Sequence, residues 1–221
     1  MRAEESVSSS TKASSFVNQN EFIESKRHIM DGKHWRLSAV FAPMTFEQER
    51  GNAGAANPRW GFQAGGQVHY YFDAVPGLSL SSALTLAGYF YNLNDGYWVV
   101  HSHHVAFQIP VRVQYEYKLN DNWAVFGYAG PKFDIGLSHK TDRELGGFGN
   151  DTEDYYAPNY TYNQHRLNLM FGFAGGVRFW DLYVSLGGDF GLYNMYKNNN
   201  ISPANTHQFI LTLGYYLPWA W

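Results

Sequence analysis

The segment from His103 to Lys118 alternates between apolar and polar residues over sixteen positions. After His103, its odd positions carry only Val, Phe, Ile and Tyr, while its even positions include Arg112 and Glu116. A period of two residues is typical of a β-strand with two different faces. Strands in soluble sheets are usually about 5–6 residues long. The pattern therefore predicts an unusually long strand with one apolar and one polar side.

Similar alternation along the rest of the chain predicts eight strands. The connections at 73–77, 119–121 and 180–181 are tight, whereas the others are long and polar. Short turns on one side and long loops on the other are the plan of an outer-membrane barrel. We therefore predict an all-β fold, an eight-stranded antiparallel transmembrane up-and-down β-barrel. The predicted strands are 34–43, 59–72, 78–91, 103–118, 122–138, 165–180, 182–196 and 206–217, and the long loops are 44–58, 92–102, 139–164 and 197–205.

The composition of the two faces predicts which one points inward. One face carries Leu, Val, Phe and Trp with no charged residue in the middle of any strand, which suits lipid. The other face is polar and rich in Gly and Ala, which suits the narrow interior of eight strands. The charged residues of this polar face form a predicted lumen network of Arg36, Arg112, Glu116, Lys132, Asp134, Arg166, Arg178 and Asp189.

Two interpretations of the lumen network stay open. Buried charges are costly unless they are paired, which favours a plug of mutual salt bridges that fills the lumen. The excess of cations, five against three anions, would also suit a narrow pore that prefers anions. Eight strands leave an interior only just wide enough for side chains, so the plug is the preferred interpretation.

Aromatic residues are predicted to form two girdles, one at each membrane interface. The end of the chain also alternates and finishes on Trp221, which resembles the C-terminal signal that the barrel-assembly machinery recognises. The girdle near the tight turns would contain Trp35, Phe72, Tyr117, Trp123, Phe179, Tyr215 and Trp219, and the other girdle would contain Phe41, Trp60, Phe90 and Tyr196.

The central hairpin FQIPVRVQYEYKLNDNWAVFGYAGPKFDIGLS, with its Ile109-Pro110 and Gly130-Pro131 pairs, resembles a known family. That family is the small outer-membrane β-barrel, or porin-family, domain of Gram-negative bacteria, similar in architecture to the outer membrane proteins A and X. The segments GFAGGVRF and HQFILTLGYYLPW also resemble it, and the likeness covers roughly residues 34–221. The resemblance implies a cell-envelope protein in contact with outer-membrane lipid. Its motifs are structural and imply no particular activity.

Residues 1–33 differ from the rest of the chain, being rich in Ser, Glu, Lys and Asn with no sustained period. We predict a flexible N-terminal periplasmic tail at 1–33, with no signal-peptide pattern, and the barrel at 34–221. The net charge of −3 argues against a nucleic-acid partner. The absence of cysteine excludes thiol catalysis and Cys-ligated zinc.

The histidine-rich segment 101–104 is a candidate for chemistry. His101 and His103 share one face, but a metal site would need a third ligand from elsewhere. Ser102 or Ser138 beside a histidine suggests a lipid-modifying triad, but we find no acid on the same face of a neighbouring strand to orient the base. We therefore assign no catalytic residue, no cofactor and no metal ligand.

The predicted loop 139–164 is the best binding candidate. Loops of this length in compact domains are usually functional or disordered. Its tyrosines supply contact area at low entropic cost, and its carboxylates suit Ca²⁺. A solvated loop, a protein or glycan partner, and a Ca²⁺ site all stay open. The candidate binding residues are Asp151, Glu153, Asp154, Tyr155, Tyr156 and Tyr160.

The predicted function follows from these features. We expect a non-enzymatic scaffold, or a surface-interaction or assembly component, that acts through its long extracellular loops. A narrow porin-like channel for small solutes is the alternative. A lipid-modifying outer-membrane enzyme is a weaker one.

Two prolines in the central hairpin predict a break in its ladder. If the hairpin turns at Asn120, Pro110 lies beside Gly130. Proline donates no N–H, and a closed barrel has no free edge where that loss is harmless. Glycine permits the dihedral angles of a bulge. We therefore predict a bulge or break at 109–110 and 130–131, with Lys132 directed into the lumen.

Overall fold

The structure, a computed structural model, describes residues 34–50, 59–94, 98–145, 149–198 and 203–218. In these ranges no helix is long and apolar enough to cross a membrane. The strands are β1 (Trp35–Arg50), β2 (Arg59–Tyr71), β3 (Leu78–Asn94), β4 (Trp98–Lys118), β5 (Trp123–Leu145), β6 (Gly149–Asp154), β7 (Leu167–Phe179), β8 (Leu182–Gly191) and β9 (Ala204–Tyr216). The predicted N-terminal tail lies outside the described residues.

Eight of these strands close into a ring. They pair antiparallel in the order β1-β2-β3-β4-β5-β7-β8-β9, and β9 returns to pair with β1. A closed ring satisfies its backbone hydrogen bonds without an open edge. The remaining strand, β6, pairs with the last part of β5, from Lys140–Asp154 to Leu145–Gly149. The predicted eight-stranded antiparallel barrel is confirmed.

Three tight turns lie at one end of the barrel, between β2 and β3, between β4 and β5, and between β7 and β8. The β4–β5 turn is held by Asn120, whose Oδ1 accepts hydrogen bonds from the backbone N–H groups of Asn122 (3.0 Å) and Trp123 (2.9 Å). Such side-chain mimicry of a backbone turn is the reason Asn favours turns. We call this end the turn end and the opposite end the loop end.

Several strands extend further toward the loop end than the sequence predicts. β1 continues to Arg50, β3 to Asn94 and β5 to Leu145, and β4 begins at Trp98. The bounds predicted for the loops 44–58, 92–102 and 139–164 are therefore wrong, because strand residues occupy part of each range. At the loop end the strands stay paired by backbone hydrogen bonds although they no longer show the apolar alternation of a lipid-facing strand. The sequence pattern therefore ends before the strands do. β8 instead stops at Gly191, five residues before its predicted end at 196.

Alternate residues of each strand face the interior and the outside. On β7 the outward Leu167, Phe171 and Phe173 are exposed, whereas the inward Met170 and Ala174 are buried. The interior holds the buried polar and charged side chains together with small residues and a few large apolar ones such as Phe46 and Met170, and the outer wall is apolar. This is the arrangement of a membrane barrel rather than of a soluble one.

Aromatic side chains form contacts at both ends of the outer wall. At the turn end, the ring centroids of Trp35 and Tyr70 lie 4.8 Å apart and those of Trp123 and Phe179 lie 4.5 Å apart. At the loop end, Phe62 contacts Phe41 (6.3 Å) and Phe90 (5.9 Å). Tyr196 was predicted for this second girdle but is only 2% exposed, because it packs among the loop segments. Trp219 and Trp221 lie outside the described residues.

The β4–β5 ladder breaks beside the two prolines, in a register shifted from the predicted one. Pro110 faces Lys132 rather than Gly130, because the turn is centred on Asp121. The pairing skips 111–112 on β4 and 130–131 on β5, where Gly130 has a φ of 153°. The break is thus confirmed at 130–131 and wrong at 109–110. The β4–β5 register shifts a second time between Val105 and Ala106, so Leu137 of β5 has no ladder partner on β4.

Adjacent glycines on β2 give a matched test of the narrow interior. A Cβ on the inward Gly65 would lie 2.1 Å from the carbonyl oxygen of Leu84, whereas a Cβ on the outward Gly66 would meet nothing within 4 Å. We expect Gly65→Ala to lower the free energy of unfolding by about 1–3 kcal/mol and Gly66→Ala to change it by less than about 0.5 kcal/mol. Urea unfolding in detergent micelles, followed by tryptophan fluorescence, measures both. Equal losses would contradict the close approach of β2 and β3.

Candidate functional site

A charged layer crosses the middle of the lumen. Asp189 on β8 accepts hydrogen bonds from Arg112 on β4 and from Nζ of Lys132 on β5, the latter at 2.5 Å. Arg112 also donates to the carbonyl oxygen of Gly130, and Lys132 donates to Oε1 of Gln208. All three charged side chains are no more than 5% exposed. Side chains from three strands therefore meet across the lumen.

A second charged pair lies nearer the turn end. Arg178 donates through Nη2 (2.8 Å) and Nε (3.1 Å) to Oε1 of Glu116, and through Nη1 to the carbonyl oxygen of Trp180 (2.7 Å). Arg36 is half-buried with its guanidinium 5.9 Å from the ring of Tyr71 and 5.3 Å from that of Tyr216. These contacts fill the lumen below the Asp189 layer.

Asp134 belongs to a third layer, made mainly of neutral side chains. Nε2 of Gln108 donates to Oδ2 of Asp134 and to the hydroxyl of Tyr89, each at 2.7 Å. Nε2 of Gln208 donates to the same hydroxyl at 2.7 Å. Sequence reasoning missed both glutamines as members of the network, although their inward positions in the alternation were visible.

A cavity of about 60 Å³ lies on the turn-end side of the Asp189 layer, lined by Lys132, Asp189, Gln114, Tyr128 and Ser185 among others. A water molecule occupies about 30 Å³ of liquid. The cavity therefore has room for a few water molecules and not for a sugar or a nucleotide. Side chains fill the lumen on either side of it.

Arg166 was predicted for the lumen network, but it is an exposed residue at the loop end. β7 begins one residue later, at Leu167, so Arg166 does not share the inward alternation of that strand. Its Nη1 donates to the carbonyl oxygens of Gly136 (3.2 Å) and Leu137 (3.0 Å). Its guanidinium lies 4.5 Å from the ring centroid of Tyr156.

The segment after β6 packs into the loop-end mouth of the barrel. The ring of Tyr155 stacks on that of His139 with centroids 4.3 Å apart. The hydroxyl of Tyr156 lies 3.2 Å from Nε2 of His104. Burial raises the pKa of the Tyr156 phenol above its ordinary value, so the hydroxyl keeps its proton. Two consecutive tyrosines thus close the mouth rather than face solvent.

His139 is the centre of this closure. Its Nε2 lies 2.9 Å from Nη1 of Arg59, and its Nδ1 lies 2.9 Å from Oε1 of Gln164. Arginine can only donate, so Nε2 accepts and the ring proton sits on Nδ1, where it reaches Gln164. The ring of His104 stacks on His139 with centroids 4.7 Å apart. No pattern in the sequence indicates that residues from β2, β4, β5 and the 155–166 segment meet here.

The acidic candidate binding residues lie on β6 rather than in a loop. Asp151 is exposed, Glu153 pairs with Arg143 at 3.0 Å, and Asp154 accepts from the backbone N–H of Tyr156 at 2.9 Å. Tyr160 lies on the surface beyond them, where partial burial and a hydrogen bond to Glu153 raise the pKa of its phenol. The structure therefore divides the predicted binding loop into an acidic hairpin and a closing segment.

The histidine-rich segment does not form a triad. The hydroxyl of Ser102 accepts from Oγ1 of Thr141 (3.0 Å), and Nδ1 of His101 lies 2.8 Å from Oδ1 of Asn92. His103 is exposed on the outer wall against Phe90, with ring centroids 5.9 Å apart. Among the residues that the structure describes, no group of three or more His, Asp or Glu side chains is placed to hold a metal ion.

The mouth closure can be tested through His139. We expect His139→Ala to release the 155–166 segment, because Tyr155 loses its stacking partner and Gln164 loses its donor. Chymotrypsin should then cut at the tyrosines of this segment several times faster in the folded protein. His103→Ala, which removes an outward histidine, should leave the cleavage rate unchanged. Equal rates in both variants and the parent would contradict the closure.

Comparison with known proteins agrees with this architecture. The family model described as the outer membrane protein beta-barrel domain matches residues 34–197. The chain belongs to this family. It is therefore an outer-membrane protein that sits in the lipid bilayer. In this family's plan the short turns face the periplasm and the longer loops face outside, so the turn end is periplasmic and the loop end extracellular.

Solved structures of small outer-membrane barrels are similar at low sequence identity. The attachment invasion locus protein Ail of Yersinia pestis is 9% identical, with a TM-score of 0.45, over 82% of this chain and 98% of that one. Neisserial surface protein A is 11% identical, with a TM-score of 0.44, over 81% and 96%. The outer membrane enzyme PagL is also 11% identical, with a TM-score of 0.44, over 80% and 98%. A search of curated proteins finds no match.

Proposed function

We propose that this outer-membrane barrel is a non-enzymatic surface-binding protein, and that it holds a basic, extended segment of a protein partner along β6. The observation that carries the proposal is an open sheet above the barrel. Pairing of β3 with β2 stops at Phe90, and pairing of β5 with β7 stops at Ile135. Beyond these points β3, β4, β5 and β6 continue as four paired strands.

The free edge of β6 supports binding by strand addition. β6 pairs with β5 on one side, and in the described part of the chain no strand pairs with its other side. An unpaired strand edge presents backbone N–H and C=O groups that an extended peptide can pair with. In the barrel itself every strand has two neighbours, so the free edge of β6 has no counterpart within the ring. Among the described residues, the upper part of β3, beyond Phe90, lacks its β2 partner in the same way but does not carry the acidic residues of β6.

The charge of the β5–β6 hairpin supports a basic partner. The hairpin carries five carboxylates against two cations, and one of those cations, Arg143, is already paired with Glu153 at 3.0 Å. An excess of one sign of charge steers an oppositely charged partner and disfavours a like-charged one. The carboxylates are Asp142, Glu144, Asp151, Glu153 and Asp154, and the cations are Lys140 and Arg143.

The packed lumen supports a binding role over a channel. The Asp189 layer and the Tyr155–His139 closure both fill the pathway that a solute would take. The partner of the Ser102 hydroxyl is Thr141 rather than a histidine, which supports a non-enzymatic role. Recognition of β9 by the barrel-assembly machinery stays a prediction. The exposure of the outward side chains Phe209, Leu211 and Tyr215 on β9 supports it.

Binding can be measured with a fluorescent peptide of alternating Lys and Thr, by anisotropy, on the protein in lipid nanodiscs. We expect the double variant Glu144→Lys with Asp151→Lys to weaken binding at least 10-fold. The matched control Asp121→Lys reverses an exposed charge at the periplasmic turn and should bind as the parent does. Absence of peptide binding to the parent, or equal losses in both variants, would contradict the proposal.

Three further measurements separate the alternatives. Binding of a neutral oligosaccharide that ignores the charge reversals would favour a glycan partner. Stable conductance steps in a planar bilayer would favour a channel. Release of fatty acid from lipid A on incubation with the protein would favour an enzyme.

A further inference from the structure

Arg166 stands at the seam where β5 changes partner from β7 to β6. Ile135 of β5 pairs with Leu167, and the next ladder partner on this side is Asp154, opposite Lys140. Between them the backbone N–H of Gly136 donates to the carbonyl oxygen of Arg166 at 2.7 Å. Arg166 therefore lies level with Gly136 and Leu137, at the extracellular rim of the wall.

This position is the upper border of the lipid-facing band. Leu137 and Leu167 are 43% and 50% exposed, and Ile135 is exposed below them. Beyond Leu137 the exposed residues of β5 become polar, beginning with Lys140. The outward His103 faces Lys140 across the β4–β5 ladder and contacts the girdle residue Phe90. Arg166 thus lies at the height at which lipid headgroups meet the protein, and Lys140 follows three residues beyond Leu137 on β5.

The guanidinium of Arg166 is held by several contacts, and none of them is to a carboxylate of the described residues. Both of its backbone hydrogen bonds use Nη1, and the ring of Tyr156 supports its face at 4.5 Å. Among the described residues neither Arg166 nor Lys140 forms a salt bridge. A preorganised arginine loses little freedom on binding, and its planar fork matches two phosphate oxygens. Within the described part of the chain no group forms a hydrogen bond with Nη2 or Nε, so both can bind such a ligand.

We propose that Arg166, together with Lys140, binds the phosphate group of a lipid headgroup in the outer leaflet. The apolar wall below the two cations favours a lipid over free phosphate, because acyl chains can lie along Ile135, Leu137 and Leu167 while the headgroup reaches the rim. Polybasic positions near a membrane surface attract anionic headgroups in general. This site is separate from the β6 edge and does not depend on a protein partner.

Native mass spectrometry of the detergent-extracted protein tests the site, with diphosphoryl lipid A as the probe. We expect the parent to retain this lipid and Arg166→Gln to retain it at least 10-fold more weakly. Arg166→Lys keeps the charge but loses the two-carbonyl anchor, so it should fall between them. The matched control is Lys197→Gln, which removes an exposed cation from the β8–β9 connection and should behave as the parent does. Lys140→Gln should weaken retention by about 3-fold or more.

Three other results would contradict the proposed lipid site. Equal retention of lipid A from which both phosphates have been removed would overturn it. Displacement of the lipid by millimolar inorganic phosphate would assign the site to free phosphate instead and would also overturn it. An equal loss in Lys197→Gln would indicate a nonspecific charge effect. Heat-modifiable gel migration checks that each variant is folded, and Lys140→Gln provides the test if Arg166→Gln does not fold.

Discussion

Replacement of Asp189 with alanine is expected to lower the free energy of unfolding by about 3–5 kcal/mol. Asp189 is the shared partner of Arg112 and Lys132, and all three side chains are no more than 5% exposed. Its removal leaves two cations facing each other in the lumen, where solvation by water is poor. Urea unfolding in micelles, followed by tryptophan fluorescence, measures the loss.

The control for this prediction is Asp121→Ala, which removes an exposed carboxylate from the β4–β5 turn. Exposed sites of this kind usually change stability by no more than about 0.5 kcal/mol. Arg112→Ala should be milder than Asp189→Ala, because Asp189 keeps its contact with Lys132. If Asp189→Ala and Asp121→Ala were equal in effect, the Asp189 layer would not be a structural plug and a hydrated pathway would gain support.

The barrel and most of its lumen could be predicted from the sequence because the pattern has a direct physical cause. A strand exposed to lipid on one side and to a polar interior on the other must alternate, and His103 to Lys118 does so throughout. The same alternation predicts which charged residues face inward, and the structure buries these four in the lumen: Arg112, Glu116, Lys132 and Asp189. Alternation fixes the face of a residue without information about its partner.

Partners and register depend on tertiary contacts that alternation does not report. The hairpin turn is centred on Asp121 rather than Asn120, and this single residue moves the partner of Pro110 from Gly130 to Lys132. The alternation of β7, extended back by one residue, would place Arg166 on the inward face, but β7 begins only at Leu167. Its contacts with Gly136 and Leu137 come from the seam between β6 and β7.

The extracellular region was the least predictable part. Above the membrane no lipid imposes alternation, so β6 carries the sequence GNDTED and gives no strand signal. It is held by its ladder with β5 and by the Arg143–Glu153 pair. The inward closure of Tyr155 depends on His139 of β5, and Arg59 of β2 reaches the same histidine. Arg59 and His139 are 80 residues apart, so no local pattern in the sequence indicates their contact.

Substitution of Gly130 with alanine is expected to lower the free energy of unfolding by about 2–4 kcal/mol, from backbone strain and overpacking together. Gly130 has a φ of 153°, and a Cβ there would lie 2.3 Å from the carbonyl oxygen of Val111. The skipped pairing at this point also leaves the carbonyl oxygen of Gly130 to accept from Arg112. A backbone shift would therefore disturb the Asp189 layer as well.

Gly127→Ala is the matched control for Gly130→Ala, since it lies on the same strand and its Cβ would meet its nearest atom, the carbonyl oxygen of Ala174, at an ordinary 3.7 Å. It should change the free energy of unfolding by no more than about 0.5 kcal/mol. The double variant Gly130→Ala with Asp189→Ala should be less destabilised than the sum of the single variants, because both act on the position of Arg112. If the losses of the two single variants added up strictly to that of the double variant, the ladder break and the charged layer would act independently, and the expected coupling between them would be wrong.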